Sequence, residues 1–311
     1  MNILFLGGAK RVSMGRKLID AGHHAGEEVN LFSYELTECE AIASIATVIP
    51  GLRWDDPEVI PHLKQTVREH AIDVVIPFVD GAVEIAARLA RECRGLFVPV
   101  STPALCHAMF DKVEAARVFA RAELPVPRTM EPDHISYPCI AKPRCGSASR
   151  GIVIAHGPEA LAGLDLDRYL IQEYIPDAEE FTVDCYVSVI DRTPLVISPR
   201  RRLQTAGGEV MSTITVHDGE MLWQTHAILM QLGLSGPVTL QYLRDPATGR
   251  LLLMEINPRL GGGCVATVHA GADIPAMIIA EARGHRPEAV TPRAGVLVKR
   301  YLEETVFYGR E

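Results

Sequence analysis

Apolar runs of strand length alternate with mixed stretches of helix length over the first third of the chain. Residues 3–6, 29–34, 73–78 and 96–99 are largely apolar, and residues 14–21, 57–70 and 82–91 between them space their apolar positions as helices do. This βαβα order predicts a parallel sheet covered by helices, an α/β unit. Pro99, Pro103, Pro125 and Pro127 then punctuate the chain around a helix expected over residues 102–122. We therefore place a domain boundary near residue 103 and a hinge near residue 125. Beyond the hinge come expected strands at residues 137–141, 169–175, 179–187, 195–198, 238–243 and 251–257, with helices at 158–164 and 221–232. This half reads as α+β.

Composition narrows the function classes. A chain of 311 residues can hold two or three domains. A net charge of −8, from 31 basic and 39 acidic residues, argues against a general attraction to nucleic acid or to an anionic membrane. The seven cysteines, at 39, 93, 106, 139, 145, 185 and 264, are scattered and never in a CxxC spacing, so we expect the reduced thiols of a cytoplasmic protein, with no disulfide framework and no zinc site. No apolar run approaches the roughly 20 residues of a membrane helix. The opening Met1-Asn2-Ile3-Leu4-Phe5-Leu6 reads as a first strand and not as a signal peptide.

Chemistry concentrates in three places. In YPCIAKPRCGSASRG, residues 137–151, a short strand carries Lys142 at its end and runs into a loop of small residues that includes Gly146, Ser147 and Ser149. A lysine beside backbone N–H groups left uncovered by small residues can cradle a polyphosphate, although a plain polar turn has the same composition. In residues 251–257 the alternation puts Glu255 and Asn257 on one face of a strand, and Gln241 on the hairpin partner can face them. Such an oxygen set suits magnesium held between protein and nucleotide phosphates; the bland alternative is a polar strand end before Pro258. Arg259 and the glycine loop Gly261-Gly262-Gly263 follow. Gly7 and Gly8 shape the turn after the first strand, leaving Arg11 as a candidate anion contact. Asp80 is either a ligand for a substrate amine or a helix cap, and Glu35 takes the place a ribose-binding carboxylate would have in a dinucleotide fold. Arg200, Arg201 and Arg202 form a run in which one alternate member could face a cleft.

In their order and spacing, AKPRCGSASRG, LIQEYIPDAEEFTVD and LLMEINPRLGGG resemble the ATP-grasp superfamily, and within it the ligases similar to the carbamoyl-phosphate synthase large subunit, among them the pyrrolysine-biosynthesis lysine ligase. The resemblance implies an N-terminal Rossmann-like pre-ATP-grasp sheet over residues 1–103, a small ATP-grasp lobe over 104–178 and a large lobe over 179–311. It implies that Lys142 and Lys112 contact the nucleotide phosphates, with residues 146–151 as the loop closing over them. It further implies that Glu173, Tyr174 and Ile175 frame the adenine, partly through backbone groups, and that Glu180 takes the ribose hydroxyls. Gln241, Glu255 and Asn257 would hold Mg2+, and Arg259, joined by Arg202, would stabilise the transferred phosphoryl group. Gln241 stands where many superfamily members have an acidic residue.

The activity so implied is an ATP-dependent joining of a carboxylate to an amine, with small-molecule substrates such as amino acids, no nucleic acid or membrane partner, and a homodimer through the N-terminal sheet. Two other readings stand beside it: a half-synthase making an acyl or carbamoyl phosphate for a partner, and an ATP-binding protein without catalysis. One ATP-grasp unit and no internal repeat argue against complete carbamoyl phosphate synthesis by this chain alone. The identity of the substrates is not written in the motifs.

Overall fold

The computed structural model describes residues 1–146 and 150–309, so Ser147 and Ser149 lie outside the described residues. The chain begins β1 (Asn2–Leu6), α1 (Val12–His24), β2 (Asn30–Glu35), β3 (Thr47–Pro50), α2 (Val59–Glu69), β4 (Val74–Pro77) and α3 (Asp80–Glu92). The strands pair in parallel in the order β3-β2-β1-β4. Ile3, Leu4, Phe5 and Leu6 are all fully buried, as expected of a strand covered by helices on both faces. Between β1 and β4 the winding reverses, and a crevice opens there at the carboxyl ends of the strands. Arg11 and Asp80 both stand at that edge.

Next come α4 (Pro103–Phe110), α5 (Lys112–Arg121), β5 (Thr129–Met130), β6 (Cys139–Pro143), β7 (Val153–Ala155) and β8 (Tyr169–Glu173), whose strands form an antiparallel sheet in the order β5-β8-β6-β7. The helix expected over residues 102–122 is therefore two helices. Asp111 is extended (φ −96°, ψ 114°) and its carboxylate accepts from the backbone N–H of Val113 and Glu114, capping α5, while Arg144 grips it at 2.7 Å. Lys112 is thereby moved from mid-helix to the first turn of α5. The helix expected over 158–164 is a single 3₁₀ turn (Pro158–Leu161), and residues 96–99 contribute one bridge, Val74 to Phe97.

The remainder is β9 (Glu179–Val187), β10 (Pro194–Ala206), β11 (Glu209–Thr215), α6 (Gly219–Leu232), β12 (Gly236–Arg244), β13 (Leu251–Asn257), α7 (Val265–His269), α8 (Ile274–Ala282) and β14 (Leu297–Lys299). Its six strands are ordered β13-β12-β9-β10-β11-β14. Asp218 caps α6 by accepting from Met221 N–H, and Gly233 ends it in the left-handed conformation (φ 65°). One apolar core joins both ends of the chain: Ile3, Phe5 and Leu18 pack in the same cluster as Tyr186, Leu260, Ile274 and Ile278.

Candidate active site

A cleft of about 970 Å³ lies between the two antiparallel sheets and reaches the carboxyl edge of the parallel one. That volume lies near the upper end of the range for small-molecule sites. Lys112, Lys142, Gly146, Glu173, Tyr174, Ile175, Glu180, Arg202, Gln241, Glu255, Asn257 and Arg259 all line it, as do Arg11 and Asp80.

Lys142 ends β6 and is buried, its ammonium donating to Gln172 Oε1 at 3.1 Å. Burial pulls its pKa down to about 8, partly offset by the attraction of Glu255. A buried ammonium whose hydrogen-bond partner is a neutral amide fits an anionic ligand such as a polyphosphate. Nearby, Lys112 donates from Nζ to the Gly146 carbonyl at 2.9 Å and from its backbone N–H to the Arg144 carbonyl at 2.8 Å. The first turn of α5 is thus tied to the start of the small-residue loop.

On β13 the pairing register sets Glu255 opposite Gln241 and Asn257 opposite Thr239, so Glu255, Asn257 and Gln241 share a strand face as alternation predicts. Two amide oxygens and one carboxylate make a hard donor set, and among the described residues no three His, Cys, Asp or Glu side chains cluster into an alternative cation site. A divalent cation here fits if it takes its remaining ligands from phosphate oxygens, which is how magnesium is commonly held. Arg259 is positioned from two sides. Its Nη2 donates to Asn257 Oδ1 at 3.2 Å and its Nε to Asp80 Oδ1 at 2.5 Å. Asp80 therefore serves neither as the cap of α3, whose N-cap is Val79 with no side-chain bond, nor as a free carboxylate.

The arginine run on β10 divides by alternation. Arg201 turns away to Glu179, whereas Arg200 and Arg202 line the cleft. Arg202 pairs with Glu180 at 2.7 Å, so the carboxylate expected to meet ribose hydroxyls is already shared with the arginine expected at the phosphoryl group. Arg200 is only 3% exposed and is held by Asp184 at 2.8 and 3.2 Å, with Thr267 Oγ1 donating to the same carboxylate. Reasoning from sequence passed over Asp184. Its signal was a carboxylate on the inward side of an alternating strand, which demands a cationic partner. Substituting Asp184→Asn is expected to leave Arg200 buried and uncompensated and to cost on the order of 3–5 kcal/mol of stability, measured by urea unfolding.

Two further carboxylates are engaged by the protein itself. Glu173 does not aim its carboxylate at a base: it takes the Arg250 guanidinium at 3.2 Å and the Arg128 N–H at 3.0 Å, strapping the hinge to the turn between β12 and β13. Its backbone remains, with Tyr174 and Ile175, on the wall of the cleft. Glu35 lies away from the cleft. It accepts from Ser33 Oγ at 2.6 Å and from the backbone N–H of Gly8 and Ala9, and burial raises its pKa, so it scaffolds the first turn.

Sheet order, cleft and side chains together define an ATP-grasp fold. Residues 165–305 match the family model described as "ATP-grasp in the biosynthetic pathway with Ter operon". The chain is similar to the carbamoyl phosphate synthase large chain of Vibrio vulnificus, 25% identical over 249 residues, which is 69% of this chain and 22% of that protein. The same is true of the large chain from Bifidobacterium longum, 25% identical over 240 residues, covering 66% and 21%. The chain thus spans about a fifth of the length of these curated relatives. Among solved structures it resembles the biotin carboxylase domain of the Hydrogenobacter thermophilus 2-oxoglutarate carboxylase, which is complexed with MgADP, ADP and bicarbonate (TM-score 0.74, 18% identity, 95% of this chain and 73% of that one). It also resembles the Bacillus licheniformis L-amino acid ligase (TM-score 0.69, 18% identity, 90% and 73%). At these identities the likeness is one of fold.

Proposed function

We propose that the chain is an ATP-dependent ligase that joins a small carboxylic acid, most naturally an amino acid, to an amine and releases ADP and phosphate. The observation that carries this reading is the convergence, in one cleft, of a buried lysine lacking a carboxylate hydrogen-bond partner, the Gln241–Glu255–Asn257 oxygen set and a doubly anchored Arg259. A carboxylate is a poor electrophile. Its oxygen attacks the γ-phosphorus of ATP and ADP leaves; the amine then attacks the acyl carbon, loses a proton and expels phosphate. Magnesium bound at the oxygen set would neutralise charge on the phosphates. Lys142 and Lys112 bind and orient the nucleotide, Arg259 meets the charge that develops on the transferred group, and a cleft walled by three sheets excludes water from the acyl phosphate. Glu180 and the backbone of residues 173–175 hold the nucleoside.

The seven unpaired cysteines fit the cytoplasm, and a homodimer through the N-terminal sheet is the assembly we propose. Pure protein with ATP and magnesium should release ADP when given the right pool among amino acids, dipeptides, bicarbonate and ammonia. Stimulation by bicarbonate and ammonia alone would favour a half-synthase. ATP binding with silence in every pool would overturn the ligase reading.

Asp80 acts through Arg259 and is a positioning residue. Replacing it with asparagine is expected to lower kcat about tenfold while KM for ATP stays within about twofold, and glutamate should restore part of the loss. Steady-state ADP release checks both numbers.

A further inference from the structure

Three arginines of the cleft, Arg11, Arg200 and Arg259, gather with the neighbouring Arg300 where the parallel sheet meets the glycine loop, and three of the four are matched. Arg200 has Asp184, Arg259 has Asp80, and Arg300 has Glu209 at 3.0 Å. Arg11 makes no ion pair among the described residues, although it feels the attraction of Glu209 and the repulsion of Arg259 and Arg300. The Nη1 atoms of both Arg11 and Arg200 are buried without a hydrogen-bond partner. An orphan N–H on a buried cation is costly, and a fold retains one where a ligand completes it.

Both orphans lie against consecutive glycines. A Cβ on Gly262 would come within 3.1 Å of Arg11 Nη1, and one on Gly263 within 2.9 Å of Arg200 Nη1. Neither glycine has a positive φ, so a left-handed backbone does not account for them; what they provide is close approach to the two guanidinium groups. Arg200 is itself 97% buried by its 3% exposure, and its other two nitrogens are fixed by Asp184, which leaves Nη1 held in one direction.

We propose that Arg11, Arg200 and the Gly261–Gly263 loop form a carboxylate subsite that recognises the α-carboxylate of an amino-acid substrate, the carboxylate that is not activated. This rests on the ligase reading and adds to it the place and chemistry of substrate recognition. A carboxylate gripped by two guanidinium groups is a weakened nucleophile, so the pair suits a group that is held and left unreacted. Arg259 is the member of this group that is bonded to the oxygen set, through Asn257, and it keeps the phosphoryl role.

The test is calorimetric titration, in the presence of MgADP, of individual L-amino acids and their α-carboxamides into wild type, Arg11→Gln and Gly262→Ala. Gly262→Ala is a mild change for the fold, because its methyl meets the end of a flexible side chain. At least one amino acid should bind wild type, its amide should bind at least tenfold more weakly, and both variants should weaken the acid at least tenfold with ADP affinity unchanged. Absence of amino-acid binding to wild type, equal binding of the amide, or full binding by Arg11→Gln would overturn the subsite. ADP release separates the two readings. Arginine-dependent amino-acid binding without ADP release in any pool keeps the subsite and removes the ligase, whereas ADP release with unchanged KM in Arg11→Gln keeps the ligase and removes the subsite.

Discussion

Replacing Lys142 with methionine is expected to weaken ATP binding at least a hundredfold and at the same time to raise the stability of the folded chain. Both follow from one feature. The ammonium is buried beside a neutral amide and its pKa is drawn from 10.5 to about 8, which costs the folded state on the order of 3 kcal/mol at neutral pH. Methionine fills similar volume and carries no charge, so that cost disappears; what is lost is charge-assisted binding of phosphate in a site of low dielectric. The pH dependence has opposite signs for the two properties. Between about 8 and 10.5 the unfolded chain holds more protons on this lysine than the folded chain does, so stability rises with pH across that window. ATP affinity falls over the same range, because only the charged lysine pairs with phosphate, and by pH 9 the free protein should bind about tenfold more weakly. Calorimetric titration and urea unfolding between pH 7 and 10 measure the two curves. In Lys142→Met both contributions should vanish; a wild-type affinity that is flat across pH 8 would remove Lys142 from the nucleotide site.

Replacing Glu255 with glutamine is expected to cut ADP release about a hundred- to a thousandfold at saturating ATP, the scale of several kcal/mol of charge stabilisation. Glu255 is the one carboxylate of the Gln241–Glu255–Asn257 set, so its loss leaves a neutral amide trio facing a divalent cation. A higher magnesium concentration should recover part of the rate. Glu255 also holds up the pKa of Lys142, so in Glu255→Gln the fall in ATP affinity should begin at lower pH than in wild type. An unchanged rate at low magnesium would exclude Glu255 as a metal ligand.

Some of this was legible in the sequence for physical reasons. Strands buried on both faces, such as residues 3–6, read as continuous apolar runs, and a period of two in residues 251–257 puts Glu255 and Asn257 on one face whatever surrounds them. The break at Asp111 was not legible. The local pattern runs on through it, and the bend is held by the cap to Val113 and Glu114 together with Arg144, 33 residues away. Arg200 and Arg202 were likewise inseparable by sequence, since both fall on the same face of β10. Their partners Asp184 and Glu180 come from the neighbouring β9, which gives one a buried pair and the other a pair at the cleft. The roles of Glu35 and Glu173 depended on neighbours that no motif records: Ser33 with the first glycine turn, and Arg250 with the Arg128 backbone.

The apolar cluster in which Ile3, Phe5 and Leu18 pack with Leu260, Ile274 and Ile278 has a consequence for biogenesis. During synthesis the first sheet leaves the ribosome with one flank uncovered, and the residues that cover it are made more than 200 positions later. Closure over so long a separation is slow, because the chain loses loop entropy before the contact returns any energy. The nascent N-terminal sheet is therefore a natural client for a chaperone, and substitutions in α8, far from the cleft, should show themselves first as lower yield of folded protein rather than as altered kinetics.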